Sequence, residues 1–412
     1  MLQPIACFHS EIAGAQAGSL LLRMDVRKAV ARLLPEYAES VQAVYLDPPF
    51  NTGKRFGMRA RAGEKTISAT AYEDRHESRE AYLSMMSEAL TLAKALLREN
   101  GTIFLHCDGR MNAYLRLLMD TVFGEENFLN EIIWSYQSGG RSLRHFPRKH
   151  DSILLYARSP QYAFNLKAVP IGTAGGRENH MRREVDETGR SYRAIRSGGK
   201  EYRYYDDEPV YPSDVWTDIP HLQQRDPERT GFETQKPLAL LSRILLCATK
   251  EGDLVCDLFH GSGTTAVAAQ GLKRRFLCLD DSALSMALSE RRLLPGDGKP
   301  PVGGFVSEAE SAMDGEAEVS IRLSDSTYSI GFSALTSDAA KQADVPGPDT
   351  IESLSAGYLR DGIFHIVASA HRDRRQQLPH ELEIPIENGI PCLRMTDIWG
   401  NRRFFCPQGG SE

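Results

Sequence analysis

Between Gly18 and Asp47 the spacing of apolar positions changes twice. The short apolar run "SLLLRMD" is followed by "VRKAVARLLPEYAES", with apolar residues at helical spacing, and then by the apolar "QAVYLD". Apolar residues repeated every three to four positions indicate a helix, whereas short runs rich in β-formers indicate strands. The pattern therefore predicts a strand, a helix and a second strand, which is one repeat of an α/β fold.

The same alternation continues as far as Ser159. After a polar stretch from Asn51 to Thr70, which we predict to be a loop, helical spacing returns and stops at Gly101, where a helix C-terminus expects glycine. Strand-like and helical patterns then alternate in "GTIFLHCD", "MNAYLRLLMDTVFG", "FLNEIIWSY" and "SILLYARS". Strands and helices at this spacing predict a mostly parallel sheet covered by helices on both faces.

Between Phe164 and Phe232 polar, tyrosine-rich and basic sequence replaces the alternation. From Lys167 to Arg203 there are nine Lys or Arg against five acids, an excess opposite in sign to the net charge of −6 of the whole chain. The α/β rhythm then resumes and ends at Leu294. A glycine- and proline-rich stretch and a last part of short alternating runs follow, which predict a linker and a small β-rich domain.

Composition and cysteine usage narrow the class of protein. A chain of 412 residues that is 41% hydrophobic and 25% charged has enough apolar mass for a large globular core. Its seven cysteines are odd in number and form no CxxC pair, which predicts a reducing compartment, inert thiols and no metal site. No basic leader precedes Leu20, and no segment nears the roughly 20 apolar residues that span a bilayer. We therefore expect a soluble cytoplasmic protein without a membrane partner.

A glycine-rich turn, "DLFHGSGTT", follows a predicted strand and begins a predicted helix. Free N–H groups at such a helix start suit a nucleotide-like cofactor, and Gly261 and Gly263 allow close approach to the backbone. Asp280 ends the next strand seventeen residues after Gly263, where an acid can accept hydrogen bonds from ribose hydroxyls. Such a turn also serves to pack a helix against a strand, but turn and acid together favour a cofactor.

The stretch "DPPF", Asp47 to Phe50, ends a strand of the first half. Ligands of parallel sheets lie at the carboxyl ends of the strands, so Asp47 should face the same crevice as the glycine turn. Pro48 and Pro49 cannot donate hydrogen bonds and leave carbonyls free as acceptors, while Phe50 offers a flat ring. These groups suit a planar base that carries an exocyclic amine. A rigid turn after a strand is the alternative.

Together these motifs resemble those of the S-adenosylmethionine-dependent amino-DNA methyltransferases, in the permuted group whose catalytic motif precedes the cofactor motif. "DPPF" is similar to their catalytic motif, "DLFHGSGTT" to their cofactor loop and "TQKP" (234–237) to the segment before that loop. "FGEENFLNEIIW" and "KHDSILLYARS" resemble framework stretches. The resemblance covers roughly Ser19 to Leu294 apart from the basic insert. It departs from the family at Cys278, usually a glycine, and at Gly231, Phe232 and Glu233, which lack the usual His-Pro.

The resemblance implies a Rossmann-like α/β fold with a seven-stranded sheet and S-adenosylmethionine as the cofactor. It also implies a base flipped out of duplex DNA and direct in-line transfer of the methyl group to its amine. The implied catalytic residues are Asp47, Pro48, Pro49 and Phe50. The implied cofactor-binding residues are Asp25, Thr234, Lys236, Asp257, Phe259, Gly261, Ser262, Gly263, Thr264 and Asp280. For Asp25, a solvated helix N-cap is the alternative.

Two basic regions are predicted to contact DNA phosphates, and for both a solvated surface is the alternative. The residues concerned are Arg141, Arg144, Arg148, Lys149, Arg182 and Arg183. We assign base reading to the insert because it alone departs from the sheet pattern. The partner is therefore double-stranded DNA, and a restriction endonuclease partner and a homodimer are left open.

We predict a site-specific DNA methyltransferase that modifies adenine N6, because an Asp at the head of this motif goes mostly with adenine in the family. Cytosine N4 is the alternative, as are RNA or small-molecule methylation and a nucleic-acid-binding protein with an inactive methyltransferase fold. "PC" at Cys392 is similar to the nucleophile of cytosine-C5 methyltransferases but lies far beyond the cofactor loop, so we expect an ordinary core thiol. The predicted parts are a catalytic half (1–163), a target-recognition insert (164–230), a cofactor-binding half (231–296), a linker (297–318) and a β-rich accessory domain (319–412).

Overall fold

The computed structural model describes residues 5–8, 18–62, 64–136, 142–174, 182–294, 305–308, 313, 316–372 and 378–406. These residues form an α/β structure around one mixed sheet of fourteen strands, with four small antiparallel sheets beside it. The predicted α/β class is confirmed. The seven-stranded methyltransferase sheet stays a prediction, because strands from both ends of the chain join the same central sheet.

The first part of the chain supplies alternating strands and helices, and two predictions fail there. Its strands are β1 (Ile5–Phe8), β2 (Leu20–Arg23), β3 (Val41–Leu46), β4 (Lys54–Ala62), β5 (Lys65–Asp74), β6 (Leu97–Cys107), β7 (Phe128–Ser135) and β8 (His150–Ala157). Its helices are α1 (Ala29–Tyr37), α2 (Arg79–Leu96) and α3 (Asn112–Phe123), with 3-10 turns at Val26–Lys28 and Glu125–Asn127. The predicted polar loop is the hairpin β4–β5, since Met58 and Ala60 alternate with arginines and are buried. Helix α2 ends before Gly101 because Leu97 already pairs with Val41 in the sheet.

The insert forms small antiparallel sheets and returns to the central sheet at its end. Its strands are β9 (Gly172–Thr173), β10 (Arg183–Val185), β11 (Ser191–Ser197), β12 (Lys200–Tyr205), β13 (Pro209–Val210) and β14 (Val215–Trp216), with a 3-10 turn at Leu166–Ala168. Strands β10, β11 and β12 make a three-stranded sheet, and β14 pairs in parallel with β7. The region that lacked an α/β pattern is therefore a separate small β structure attached to the edge of the main sheet.

The second α/β segment has the predicted strands and helices. These are α4 (Leu238–Ala248), β15 (Leu254–Asp257), α5 (Thr264–Gly271), β16 (Arg275–Asp280) and α6 (Ala283–Leu293). Gly263 precedes α5 with φ +88°, a left-handed conformation that glycine adopts without strain. The glycine turn predicted to begin a helix is confirmed at this position.

The last part of the chain is β-rich, as predicted. It contains β17 (Phe305–Glu308), β18 (Glu316–Leu323), β19 (Thr327–Thr336), α7 (Asp338–Gln342), a 3-10 turn (Gly347–Thr350), β20 (Ile351–Arg360), β21 (Ile363–His371), β22 (Glu381–Pro385), β23 (Ile390–Asp397) and β24 (Arg402–Phe405). Strand β17 lies inside the predicted linker and pairs with β2 and β1. The C-terminal strands therefore continue the central sheet.

The strand order of the central sheet is β14-β7-β8-β6-β3-β15-β16-β2-β17-β1-β21-β20-β23-β24. Strands β3, β15, β16 and β2 are parallel neighbours, so their carboxyl ends lie at one edge. Successive residues point to opposite faces of the sheet. Tyr45 packs in the core that contains Leu241 of α4, whereas Val44 and Leu46 pack in the core that contains Leu90 of α2. Helices therefore cover both faces where the four parallel strands end.

The prediction that Cys392 is an ordinary core thiol is wrong, because its sulfur is bonded to that of Cys406. Strands β23 and β24 are antiparallel neighbours with Leu393 opposite Phe405, so the flanking cysteines face each other with Cα atoms 4.4 Å apart. This separation lies within the range that a disulfide spans. The predicted reducing compartment stays a prediction. None of the helices in the described ranges is long and apolar enough to cross a membrane.

Candidate active site

A cavity of about 470 Å³ lies at the carboxyl ends of the four parallel strands. This volume lies in the range of small-molecule sites, roughly 300–1,000 Å³. The predicted residues that line the cavity are Asp25, Asp47, Pro49, Thr234, Lys236, Asp257, Phe259, Gly261, Ser262, Thr264 and Asp280. Pro48, Phe50 and Gly263 are not among its lining. The structure therefore brings residues from both halves of the predicted site to one place.

Asp257, the last residue of β15, shapes the glycine loop with both of its carboxylate oxygens. Oδ1 accepts a hydrogen bond from the Phe259 N–H (3.0 Å), and Oδ2 accepts one from the Thr265 hydroxyl (2.5 Å). Burial raises the pKa of Asp257 to about 7. The side chain lies at the wall of the cavity, but its hydrogen bonds hold the loop.

Asp280, at the end of β16, fixes the middle of the same loop. Its Oδ2 accepts from the Gly261 N–H (2.7 Å), and its Oδ1 accepts from the Ser282 N–H (2.9 Å). Burial raises the pKa of Asp280 to about 6. A carboxylate has further lone pairs, so this arrangement is compatible with the predicted contact to ribose, which stays a prediction.

The two glycines of the loop have different surroundings. A Cβ on Gly261 (φ +54°) would meet only Phe232 and Phe259, at 3.8 Å and 4.0 Å, which is ordinary contact. A Cβ on Gly263 would lie 2.6 Å from the Ser289 Oγ and 3.0 Å from its Cα. Gly263 therefore allows the start of α5 to pack against α6, which is the alternative that we weighed for such turns, whereas Gly261 faces the cavity.

Asp47 follows β3, and it differs from the other two strand-end acids, Asp257 and Asp280. Among the described residues, one of its two carboxylate oxygens has no hydrogen-bond donor, whereas both oxygens of the other two acids accept hydrogen bonds. The Asp47 oxygen without a donor, Oδ1, is buried. The other oxygen, Oδ2, forms an ion pair with the Lys236 ammonium. A buried acceptor without a partner is costly, so such an atom marks a place where a ligand donor fits.

Lys236, predicted to bind the cofactor, lies against "DPPF", the predicted catalytic motif. Its Nζ contacts Asp47 and lies 5.5 Å from the centroid of the Phe50 ring. The lysine carbonyl accepts a hydrogen bond from the Thr264 hydroxyl (3.2 Å), and the neighbouring Thr234 accepts one from the Tyr72 hydroxyl (3.5 Å). The "TQKP" segment therefore joins the glycine loop to "DPPF".

Phe50 lies outside the cofactor cavity and stacks on a buried histidine. Its ring is 6.0 Å from that of His106, at an interplanar angle of 22°. His106 contacts the Tyr45 hydroxyl through Nδ1 (2.9 Å) and Asp151 through Nε2 (3.2 Å). His106 belongs to none of the motifs that the sequence indicates. Its position at the end of β6, next to β3, is the signal that could have found it.

The turn that follows Phe50 is held by a second residue that the sequence analysis missed. Asp74, at the end of β5, accepts hydrogen bonds from the N–H groups of Asn51 (2.7 Å) and Thr52 (2.9 Å) and from the Thr52 hydroxyl (2.6 Å). Asn51 has φ +53°, which Asn tolerates better than most residues. Hairpin β4–β5 thus carries the residue that holds the turn after "DPPF", and no local pattern pairs Asp74 with Asn51.

Asp25 is both an N-cap and part of the cavity wall. Its Oδ1 accepts from the Arg27 N–H (2.9 Å) at the start of the 3-10 turn, as the alternative for this residue expects. Hydrogen bonds from the Arg27 side chain lower the pKa of Asp25. The carboxylate therefore stays charged beside the cavity, and its contact with cofactor adenine stays a prediction.

The residues predicted to contact DNA differ in how far they are exposed to solvent. Arg144, Arg148 and Arg182 are exposed, and Lys149 is half-buried. Arg183 forms an ion pair with Asp206 (Nε to Oδ2, 2.7 Å), which makes it less suited to a phosphate than Arg182. Arg141 lies outside the described residues. Among the side chains that the structure describes, no group of three or more His, Cys, Asp or Glu is arranged to hold a metal ion.

This geometry defines the class of protein: an α/β protein with a small-molecule cavity at the carboxyl ends of parallel strands, lined by acids and a glycine loop. The family model described as DNA methylase, for N6 and N4 methyltransferases, matches residues 41–289. That span is more than half of the chain, and the chain therefore belongs to this family. Its cofactor is S-adenosylmethionine, as predicted.

Named relatives agree with the family assignment. The chain is 26% identical over 347 residues to the type II methyltransferase M.EcaI of Enterobacter cloacae, covering 73% of this chain and 74% of the relative. It is 26% identical over 271 residues to the DNA adenine methyltransferase YhdJ of Escherichia coli K12, covering 64% and 80%. The solved M1.HpyAVI–SAM complex is 17% identical, with a TM-score of 0.42 over 67% of this chain and 99% of that chain.

Proposed function

We propose that this chain transfers the methyl group of S-adenosylmethionine to the N6 amine of adenine at a specific site in duplex DNA, with Asp47 as the acceptor of the amine hydrogens. The observation that carries this proposal is the buried Oδ1 of Asp47, which no described group hydrogen-bonds, at the edge of the cavity. DNA as the substrate and methyl transfer as the reaction follow from the family. The roles of individual residues are our proposal.

The cavity suits S-adenosylmethionine in charge as well as in size. Besides Asp47, six acids line it, against three Arg or Lys: the acids are Asp25, Glu73, Glu77, Asp257, Asp280 and Asp281, and the cations are Arg27, Arg75 and Lys236. Carboxylates attract the positive sulfonium and amino groups of this molecule and can accept hydrogen bonds from its ribose. When bound, S-adenosylmethionine supplies an electrophilic methyl group on a positively charged sulfur. Gly261 leaves the middle of the loop without a side chain, so that the molecule can approach the backbone there.

Asp47 would act on the target amine. The lone pair of an exocyclic amine is delocalised into the base, so the nitrogen is a poor nucleophile. Hydrogen bonds from the amine to Asp47 Oδ1 and to the Pro48 carbonyl would draw the nitrogen towards a tetrahedral arrangement, with its lone pair directed at the methyl group. No covalent intermediate with the protein is needed.

Lys236 would offset the cost of burying the Asp47 carboxylate. Burying a carboxylate is costly unless a counter-charge lies beside it. The lysine side chain is 12% exposed and that of Asp47 is 17% exposed, so the ion pair is largely shielded from water. Because Lys236 binds only Oδ2, the ion pair leaves Oδ1 for the amine. Lys236 would therefore serve the reaction more than the cofactor.

Phe50 would stack on the flipped base, with His106 behind it. The His106 imidazole is fully buried and held on both nitrogens, so it forms a fixed support for the Phe50 ring. Stacking of a base on an aromatic ring contributes about 1–3 kcal/mol. Phe50 belongs to the same motif as Asp47, but its ring does not line the cavity. The base would therefore bind next to the cofactor and not in the same space.

The insert offers one uncovered face for contact with DNA. On strands β11 and β12, Ile195 lies directly opposite Tyr202, and Tyr204 follows on the same face; all three are exposed. On the opposite face, Arg203 lies over the Tyr192 ring and pairs with Glu201, which covers that side. Two tyrosine hydroxyls and an apolar surface suit base edges and thymine methyl groups. We propose this face as the part of the insert that reads bases.

Adenine is the proposed base because Asp begins the catalytic motif and because YhdJ, one of the relatives, is named a DNA adenine methyltransferase. The test is transfer of tritiated methyl groups from S-adenosylmethionine to duplex DNA, to single-stranded RNA and to free nucleosides. We expect transfer to duplex DNA alone. Transfer to RNA or nucleosides but not to DNA would contradict the proposal. A restriction endonuclease partner, a homodimer and a cytoplasmic location stay predictions.

A further inference from the structure

Two fully exposed apolar side chains stand out in the loop between β7 and β8. Leu143 and Phe146 are 104% and 95% exposed, whereas Leu117 at 67% is the next most exposed large hydrophobic residue in the described part of the chain. Singly exposed apolar residues are common on protein surfaces. Two such complete exposures within four residues are uncommon and indicate a surface that is covered in another state.

The described part of this loop, residues 142–149, is held in a defined shape. The Ser142 hydroxyl accepts hydrogen bonds from the N–H groups of Arg144 and His145 (both 3.3 Å) and contacts the His145 Nδ1 (3.1 Å). Pro147 fixes the backbone directly after Phe146. The Tyr136 N–H donates to the Lys149 carbonyl (2.9 Å), which closes the base of the loop. Within residues 142–149, Leu143 and Phe146 therefore lie on a segment whose backbone is held by hydrogen bonds.

The base of the loop adjoins the site where the target amine would bind. The Tyr136 hydroxyl donates to Asp151 (3.0 Å), and Asp151 contacts His106, whose ring stacks on Phe50. Three successive contacts therefore join Tyr136, at the start of the loop, to the proposed stacking residue. An element at this place would meet the duplex at the flipped base.

The charges of the loop indicate DNA as the occupant. Arg144, Arg148 and Lys149 are its only formally charged residues between 142 and 149, with no acid among them. Arg144 and Arg148 are exposed on either side of Phe146. Alternation of cations with apolar side chains matches a ligand with an anionic backbone and an apolar stack of bases. A protein partner would not need this combination.

We propose that Leu143 and Phe146 enter the base stack of the duplex at the position vacated by the target base. Extruding a base leaves a gap and costs stacking energy, and an apolar wedge in the gap replaces the lost contacts. Arg144 and Arg148 would bind the flanking phosphates and hold the loop in place. This proposal rests on the proposed function, because it requires a base that leaves the helix.

The test compares Leu143→Ala and Phe146→Ala with the wild type on two duplexes that carry the site the wild-type enzyme methylates. In one duplex the target base is paired, and in the other it stands opposite an abasic position, so that it leaves the stack easily. We expect kcat/KM on the paired duplex to fall roughly 10- to 100-fold, and on the abasic duplex by no more than about threefold. Leu117→Ala, an exposed leucine on α3, is the matched control and should behave as the wild type on both.

Two further readouts separate a wedge from other roles. The affinity for S-adenosylmethionine, measured by titration calorimetry, should stay within about twofold in both variants, because neither residue lines the cavity. Fluorescence of 2-aminopurine at the target position should rise less in the variants than in the wild type. Sedimentation velocity of the free proteins should show the same oligomeric state for all.

Each other outcome overturns the inference. An equal defect on both duplexes would assign the side chains to ordinary DNA contact, and loss of a dimer in the variants would assign them to contact with a second copy. Variants that match an active wild type on both duplexes would overturn this inference alone. A wild-type protein without transfer to DNA would overturn the proposed function and this inference with it.

Discussion

Acids lie at the ends of three neighbouring strands of the sheet, yet the two that contact the glycine loop and the one in "DPPF" have different hydrogen-bond partners. Asp257 and Asp280 each accept hydrogen bonds on both carboxylate oxygens. The donors lie in the glycine loop, at the start of α5 and directly after β16. Asp47 forms one ion pair and keeps a buried oxygen that no described group hydrogen-bonds. The number of hydrogen-bonded oxygens therefore separates the two acids that hold the loop from the acid that we propose acts on the substrate.

The largest expected effect is at Asp47. Asp47→Ala should lower kcat at least about 100-fold, because an acceptor aimed at the reacting group contributes about 2.7 kcal/mol or more. S-adenosylmethionine should still bind, since the other acids of the cavity remain. Methyl transfer to DNA and titration calorimetry measure the two effects. Asp361→Asn, in an exposed turn between β20 and β21, is the control and should keep full activity. If the Asp47→Ala variant kept more than a tenth of the wild-type activity, the role proposed for Asp47 would be contradicted.

Replacing Lys236 should have the next largest effect. Lys236→Met removes the counter-charge of Asp47, and we expect kcat to fall roughly 10- to 100-fold at saturating cofactor. If Lys236 instead held the cofactor, its dissociation constant would rise and kcat at saturation would be retained. Measuring kcat and the dissociation constant of S-adenosylmethionine therefore shows whether Lys236 supports Asp47 or holds the cofactor. Lys250→Met, at an exposed position after α4, serves as the control.

A smaller effect is expected at Asp280. Asp280→Asn keeps the size of the side chain but loses one of the charge-assisted acceptors that hold Gly261 and Ser282. We expect S-adenosylmethionine to bind about tenfold more weakly, with kcat at saturation within about twofold of the wild type. Titration calorimetry with steady-state kinetics measures this. A variant with unchanged affinity and a large loss of kcat would place Asp280 with Asp47 in the reaction.

The smallest effects concern the stability of the glycine loop. Gly263→Ala forces a Cβ to 2.6 Å from the Ser289 Oγ, and overpacking of this kind costs about 1–3 kcal/mol. Gly261→Ala meets no protein atom closer than 3.8 Å, so its cost should come mainly from the left-handed backbone, about 1 kcal/mol. In urea unfolding curves, the Gly263→Ala variant should therefore have a lower free energy of unfolding than the Gly261→Ala variant. The reverse order would show that packing against α6 does not explain Gly263.

The sequence predicts those parts of the site that depend on local pattern. Asp47, Asp257 and Asp280 each end an apolar run, and the carboxyl ends of neighbouring parallel strands necessarily meet at one edge. Their common cavity could therefore be predicted without coordinates. The glycine turn before α5 is local in the same sense, although its sequence does not show which of its two glycines faces the cavity and which faces α6.

Other features depend on contacts between distant residues, which no local pattern contains. Asp74 holds the turn after Phe50 only because hairpin β4–β5 folds back, and His106 supports Phe50 only because β6 lies beside β3. The disulfide of Cys392 requires the register of β23 against β24. Lys236 was assigned to the cofactor by resemblance, and only the coordinates show its contact with Asp47.

The most direct test of the central claim is the identity of the methylated nucleoside. Duplex DNA incubated with the enzyme and S-adenosylmethionine is digested to nucleosides, which are separated and identified by mass spectrometry. The account predicts 6-methyladenine with the wild type and none above background with Asp47→Ala. Methylcytosine alone, or 6-methyladenine at undiminished level with Asp47→Ala, would contradict it.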